Sequence, residues 1–145
     1  MPKNKQTAPS LTVPRFWDIV TAEDSDEAEI TMYGDVVDRR PVNWFTGEEE
    51  EGQFITPEGF AEDLARIKSK ARITIRLNSV GGDAYTAIAI HNALKALPAE
   101  KVVVVEGIAA SAASIIMCAG DKVQVYPGSM VMVHGAKCYL ADFYS

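Results

Sequence analysis

Two segments that each pass from strand-like alternation through a small-residue turn into a helix-like stretch constrain this chain more than any other feature. In the first, Ile73, Ile75 and Leu77 alternate with polar residues. The turn Asn78-Ser79-Val80-Gly81-Gly82-Asp83 follows, and then a helix from about Ala84 to Leu97 that Pro98 stops. In the second, the β-branched run Val102 to Val105 leads through Gly107-Ile108-Ala109-Ala110-Ser111 into a short apolar helix that reaches Ala119 and halts at Gly120. Four consecutive valines suit a strand covered on both faces, as parallel sheets between helices require. Repeated strand-turn-helix units predict an α/β fold with a mostly parallel sheet, and right-handed crossovers carry both turns to one sheet edge. Ligands bind at that edge of an open sheet, because helix N-termini and free backbone amides converge there.

The flanks add further elements. Ile30 and Met32 alternate with polar neighbours ahead of Gly34, which predicts a half-buried strand. Asp38 to Gln53, with the acidic run Glu48 to Glu51, reads as a long exposed loop in which Trp44 and Phe45 are anomalous. The two aromatics either tuck onto the core or form a lid or contact surface. Thr56-Pro57 has the chemistry of a helix start, and Phe60, Leu64 and Ile67 recur at helical spacing behind it. After the second helix, KVQVY, the turn Pro127-Gly128 and MVMVH complete the pattern as two more strands. Residues 1–14 hold three prolines and little apolar surface, which predicts a flexible tail before one domain over 15–145.

Composition narrows the function classes. Hydrophobic residues make up 48% and charged residues 23%, a globular balance. The net charge of −6, with no basic cluster, disfavours nucleic acid or an anionic membrane as a partner. Cys118 and Cys138 form no CxxC pair and no zinc-type spacing, so no metal is expected and the thiols read as reduced, in a cytoplasmic protein. No cofactor motif is present: both the P-loop and the GxGxxG pattern are missing.

Chemistry concentrates in the two turns and one histidine. Gly81 and Gly82 directly precede a helix, where the missing Cβ lets backbone N–H groups approach a ligand and hold an oxyanion; a plain tight connection would look the same. Ser111 sits at a strand-to-helix junction among side chains too small to shield it, which suits a nucleophile and equally a helix cap. His134 ends an apolar strand 23 residues later, and a helix and strand between them can fold it back onto Ser111. His91, Ser79, Ser114 and Ser129 each have a sufficient structural explanation from their places in helix or turn.

The ordered series NSVGGD, GIAASAAS and MVMVHGA resembles the proteolytic subunit of Clp protease, and RFWDIV with the acidic loop resembles its phage and prophage head-maturation branch. The resemblance implies a ClpP/crotonase-like fold, a repeated β-β-α superhelix, acting as a serine endopeptidase. Ser111 then matches the nucleophile, His134 the general base, and Gly81, Gly82 and the N–H of Ala112 the oxyanion hole. Val80 replaces the proline common in that turn. The implied partners are further copies of the chain in a ring and a protein substrate such as a capsid or scaffold protein, with cleavage either ATP-independent or assisted by an AAA+ unfoldase. The family's third triad member, an Asp well downstream of the histidine, has no counterpart in the eleven residues after His134, where Asp142 is the only acid. The domain is therefore expected to be C-terminally incomplete. Removing the orienting Asp from such a triad costs on the order of 10⁴ in rate. Three alternatives stand beside the endopeptidase: a catalytically silent assembly subunit, a crotonase-type acyl-CoA enzyme, and a Ser-Lys peptidase using Lys122 or Lys137.

Overall fold

The structure is a computed structural model that describes residues 17–21 and 24–137; the expected tail, Cys138 and Asp142 lie outside the described residues. In chain order the elements are β1 (Trp17–Val20), β2 (Glu27–Tyr33), β3 (Asp35–Val36), β4 (Phe54–Ile55), α1 (Phe60–Ile67), β5 (Arg72–Ser79), α2 (Ala84–Lys95), β6 (Glu100–Ala110), α3 (Ala112–Met117), β7 (Lys122–Val125) and β8 (Met130–Met132). Six strands make the main sheet in the order β1-β2-β5-β6-β7, with β8 also on β6. Its pairings are parallel except β1 with β2, while β3 and β4 form a separate parallel pair.

Period-two alternation decides which face of the sheet is covered. Ile73, Ile75 and Leu77 of β5 are buried, as are Ala28, Ile30 and Met32 of β2, and they share one core with Phe60, Leu64 and Ile67 of α1 and Ile90 and Leu94 of α2. The opposite face carries a ladder of charge. Arg76 reaches Glu29 at 2.8 Å and also pairs with Glu106, to which the Tyr33 hydroxyl donates. Arg72 lies between Glu27 and Glu100. The Tyr33 hydrogen bond first, and the Arg76 guanidinium after it, hold the Glu106 carboxyl below its ordinary value against the opposing effect of burial.

Several boundaries differ from the sequence expectation for identifiable reasons. Gly107 to Ala110, expected as a turn, are strand. Beyond the end of β7, Ile108, Ala109 and Ala110 gain β8 as a new partner, and Asn78 Oδ1 accepts the Ile108 N–H at 3.1 Å. The turn shrinks to Ser111 alone. Helix α1 begins at Phe60 rather than at Thr56-Pro57. Val37 donates to Ile55 O at 2.9 Å, which keeps the chain extended through β4, and a turn closed by Phe60 N to Pro57 O must intervene. Helix α2 ends at Lys95, where Leu97 N already turns back to Leu94 O ahead of Pro98. Trp44 and Phe45 do not tuck onto the core; they pack against each other and remain exposed.

Candidate active site

Strand β6 and helix α3 are joined by one residue, and so abrupt a junction dictates an unusual backbone. Ser111 adopts φ 53° and ψ −123°, the only positive φ among the described non-glycine residues. Such a conformation persists only where the surroundings over-determine it. Here the Ser111 N–H donates to Met132 O at 2.9 Å, while its carbonyl accepts from Ser114 N at 2.9 Å and from Ser114 Oγ at 2.6 Å. The hydroxyl does not cap α3. It lies 2.8 Å from Nε2 of His134.

His134 follows two residues after β8, and its Nδ1 sits 2.6 Å from the Gly135 carbonyl. A carbonyl oxygen can only accept, so Nδ1 carries the proton and the Nε2 lone pair faces the Ser111 hydroxyl. That tautomer can remove a proton from the hydroxyl.

The glycine turn closes the neighbourhood. A Cβ on Gly81 (φ 97°) would lie 2.5 Å from Ala110 O, 2.8 Å from Ala112 N and 2.9 Å from Ser111 Cβ. Only a glycine lets the two turns approach this closely. Gly82 backs onto β3, where Val36 N donates to Gly81 O and Asp83 N to Val36 O. The Gly81 N–H donates to Ser79 Oγ at 3.1 Å, whereas those of Gly82 and Ala112 have no backbone acceptor among the described residues. Ser111, His134, Gly81, Gly82 and Ala112 are thus gathered at one edge of the sheet. An apolar groove of about 610 Å³ between α1 and the C-terminal end of α2, including Leu64, Lys68, Ala93 and Leu97, contains none of them.

The remaining candidates have other work. His91 Nδ1 bonds the Ile115 carbonyl at 2.9 Å, Ser129 Oγ donates to Val105 O, and Lys122 is paired with Glu100 at 2.7 Å. Asp83 caps α2 by accepting Thr86 N at 2.7 Å, and Asp121 accepts Lys101 N. Sequence reasoning gave Ser79 and Ser114 structural places but not the groups they hold, the Gly81 N–H and the Ser111 carbonyl. The only available signal was spacing, Ser114 lying one helical turn past Ser111 and Ser79 two residues before Gly81.

Comparison with known proteins places the chain in a family and a fold. The Clp protease family profile, "Clp protease", matches residues 61–141, more than half of the chain and inclusive of both turns and His134. An ATP-dependent Clp protease proteolytic subunit of Chlamydomonas moewusii is 31% identical over 84 residues, which cover 57% of this chain and 8% of that protein. Among solved structures, ClpP1 from Listeria monocytogenes superimposes with a TM-score of 0.55 at 24% identity, over 73% of this chain and 55% of that one. A protein from Streptomyces coelicolor assigned as an enoyl-CoA hydratase gives a TM-score of 0.53 at 14% identity, over 89% of this chain and 52% of that one. These two likenesses establish the ClpP/crotonase-like fold, and the chain spans only part of the length of each protein it matches. With the family profile running through both turns and the histidine, the chain belongs to the Clp protease family.

Proposed function

We propose that the chain carries the site of a serine endopeptidase, and the Ser111 hydroxyl 2.8 Å from Nε2 of His134 is the observation that carries this reading. Ser111 Oγ attacks the carbonyl carbon of a peptide bond as its proton passes to His134 Nε2. The resulting imidazolium keeps its Nδ1–H on the Gly135 carbonyl. The oxyanion is held by the N–H groups of Ala112 and Gly82, since Gly81 already donates to Ser79. His134 then gives its proton to the departing amine, leaving an acyl-enzyme that water cleaves by the same route in reverse. Gly81 serves by its missing side chain. The resemblance of RFWDIV and the acidic loop to the head-maturation branch makes capsid or scaffold polypeptides the substrates to test, in a homo-oligomeric assembly.

Labelling with a fluorophosphonate probe tests the assignment. Ser111→Ala should abolish the adduct, while Ser79→Ala and Ser114→Ala should retain it. An adduct that survives Ser111→Ala would overturn the reading.

A further inference from the structure

Trp44 and Phe45 are unexplained by the chemistry above, yet they are held out with care. Their hairpin is closed by the Val42–Glu49 bridge, by Asn43 N to Glu48 O at 2.8 Å and by Gly47 N to Asn43 O at 2.8 Å. Asn43 Oδ1 accepts the N–H groups of Phe45 and Thr46 as well. At its end the two rings pack together at a 38° tilt with centroids 3.8 Å apart, and the residues are 82% and 78% exposed. Ordered aromatic surface of this kind marks a contact site more than a solvated tip.

Charge selects the occupant. Residues 38–53 contain five carboxylates (Asp38 and Glu48 to Glu51) against Arg39 and Arg40, a local balance of 2 − 5 = −3. Arg40 is drawn in toward Glu49 at 3.8 Å and Arg39 lies beside Asp38 at 3.9 Å, while Glu48, Glu50 and Glu51 make no ion pair among the described residues. A second copy pairing through the same hairpin would set two such acidic runs together. A lysine or arginine side chain instead gains both the ring face and the flanking carboxylates. The hairpin also springs from the right place: β3, at its root, is hydrogen-bonded on both sides of Gly82 in the glycine turn.

We propose that the Trp44–Phe45 hairpin is a docking element for a cationic segment of the polypeptide substrate, beside the Ser111 edge of the sheet. This rests on the endopeptidase reading for the word substrate, but binding is measurable without turnover. The Ser111→Ala chain is titrated into a dansyl-labelled peptide rich in Lys and Arg, and into glutamate-substituted and uncharged peptides of equal length, with anisotropy as the readout. The cationic peptide should bind saturably and at least about threefold more tightly than the others. The preference should shrink at 0.5 M salt, as expected for exposed charges with a Debye length of only a few ångströms. It should disappear in Trp44→Ala/Phe45→Ala and weaken in Glu48→Gln/Glu50→Gln/Glu51→Gln, whose exposed side chains can change without disturbing the fold. Equal binding of all three peptides, or cationic binding untouched by these variants, overturns the proposal. So does concentration-dependent self-association abolished by Trp44→Ala, which would make a second copy the occupant. Failure of the endopeptidase reading would show separately, as unlabelled Ser111 with peptide binding intact.

Discussion

Replacing Ser111 by glycine should leave a more stable fold than replacing it by alanine, and the difference isolates the strain at the junction. Both variants lose the hydroxyl and its exposed hydrogen bond to His134, so that loss cancels between them. They differ in the Cβ, which alanine keeps at φ 53°, ψ −123°. A side chain held in such a region costs on the order of 1–3 kcal/mol. Glycine escapes that cost but gives the unfolded chain more freedom, worth about 0.5–1 kcal/mol in the other direction. Glycine should therefore be the more stable variant by about 1 kcal/mol and by no more than about 2.5 kcal/mol, at roughly 2–4 °C in Tm per kcal/mol for a domain of this size. Urea denaturation followed by far-ultraviolet circular dichroism measures the difference, and fluorophosphonate labelling confirms that both are inert. At an ordinary helix or strand position the order is reversed, with glycine weaker. Equal stability, or a glycine variant weaker than alanine, would refute the claim that the junction is strained.

Gly81→Ala should lower the fluorophosphonate labelling rate by about 100-fold with little loss of secondary structure, because its Cβ meets backbone atoms of Ala110 and Ala112 that can yield only by moving Ser111; a wild-type rate would show that the two turns are not coupled. Glu106, held low by Tyr33 and Arg76, contributes stability that is complete above its ordinary value of 4.5 and is lost as the pH falls through its lower folded-state value. Tm measured from pH 6 down to pH 3 should thus fall more steeply for the native chain than for Glu106→Gln, and parallel curves would refute the linkage. Asp83→Ala removes the acceptor for Thr86 N and should cost about 1 kcal/mol in urea denaturation; a change within error would mean that the bonds of β3 to the glycine turn hold the start of α2 without the cap.

What the sequence made legible follows from which interactions are local. Alternation in Ile73, Ile75 and Leu77 depends only on the pleat and located β5, and spacing in Phe60, Leu64 and Ile67 located the buried side of α1. The start of α1 was misplaced because Thr56-Pro57 offers a good local start, while the hydrogen bond that keeps Ile55 extended comes from Val37, eighteen residues upstream. Gly107 to Ala110 looked like a turn for the same reason. Small residues read locally as loop, and only the distant β8 makes them strand. Ser111 and His134 were recognisable through motif order. The division of labour in the glycine turn was not, since the capture of the Gly81 N–H by Ser79 depends on a side-chain orientation that spacing does not specify.

The meeting of Ser111 with His134 is a consequence of strand register. Met130, Val131 and Met132 lie opposite Ile108, Ala109 and Ala110, and the bond from Ser111 N to Met132 O carries that ladder one step past the end of β6. His134 then stands two residues beyond Met132. Because side chains alternate along a strand, a slip of one residue in this pairing would turn His134 toward the other face. The same slip would remove Met132 O from the Ser111 N–H and loosen the junction that presents the hydroxyl. The Ser111 hydroxyl and the His134 imidazole are therefore placed by one short ladder. Losing it disables both at once, whereas the glycine turn, tied instead to β3 through Val36, would keep its own geometry.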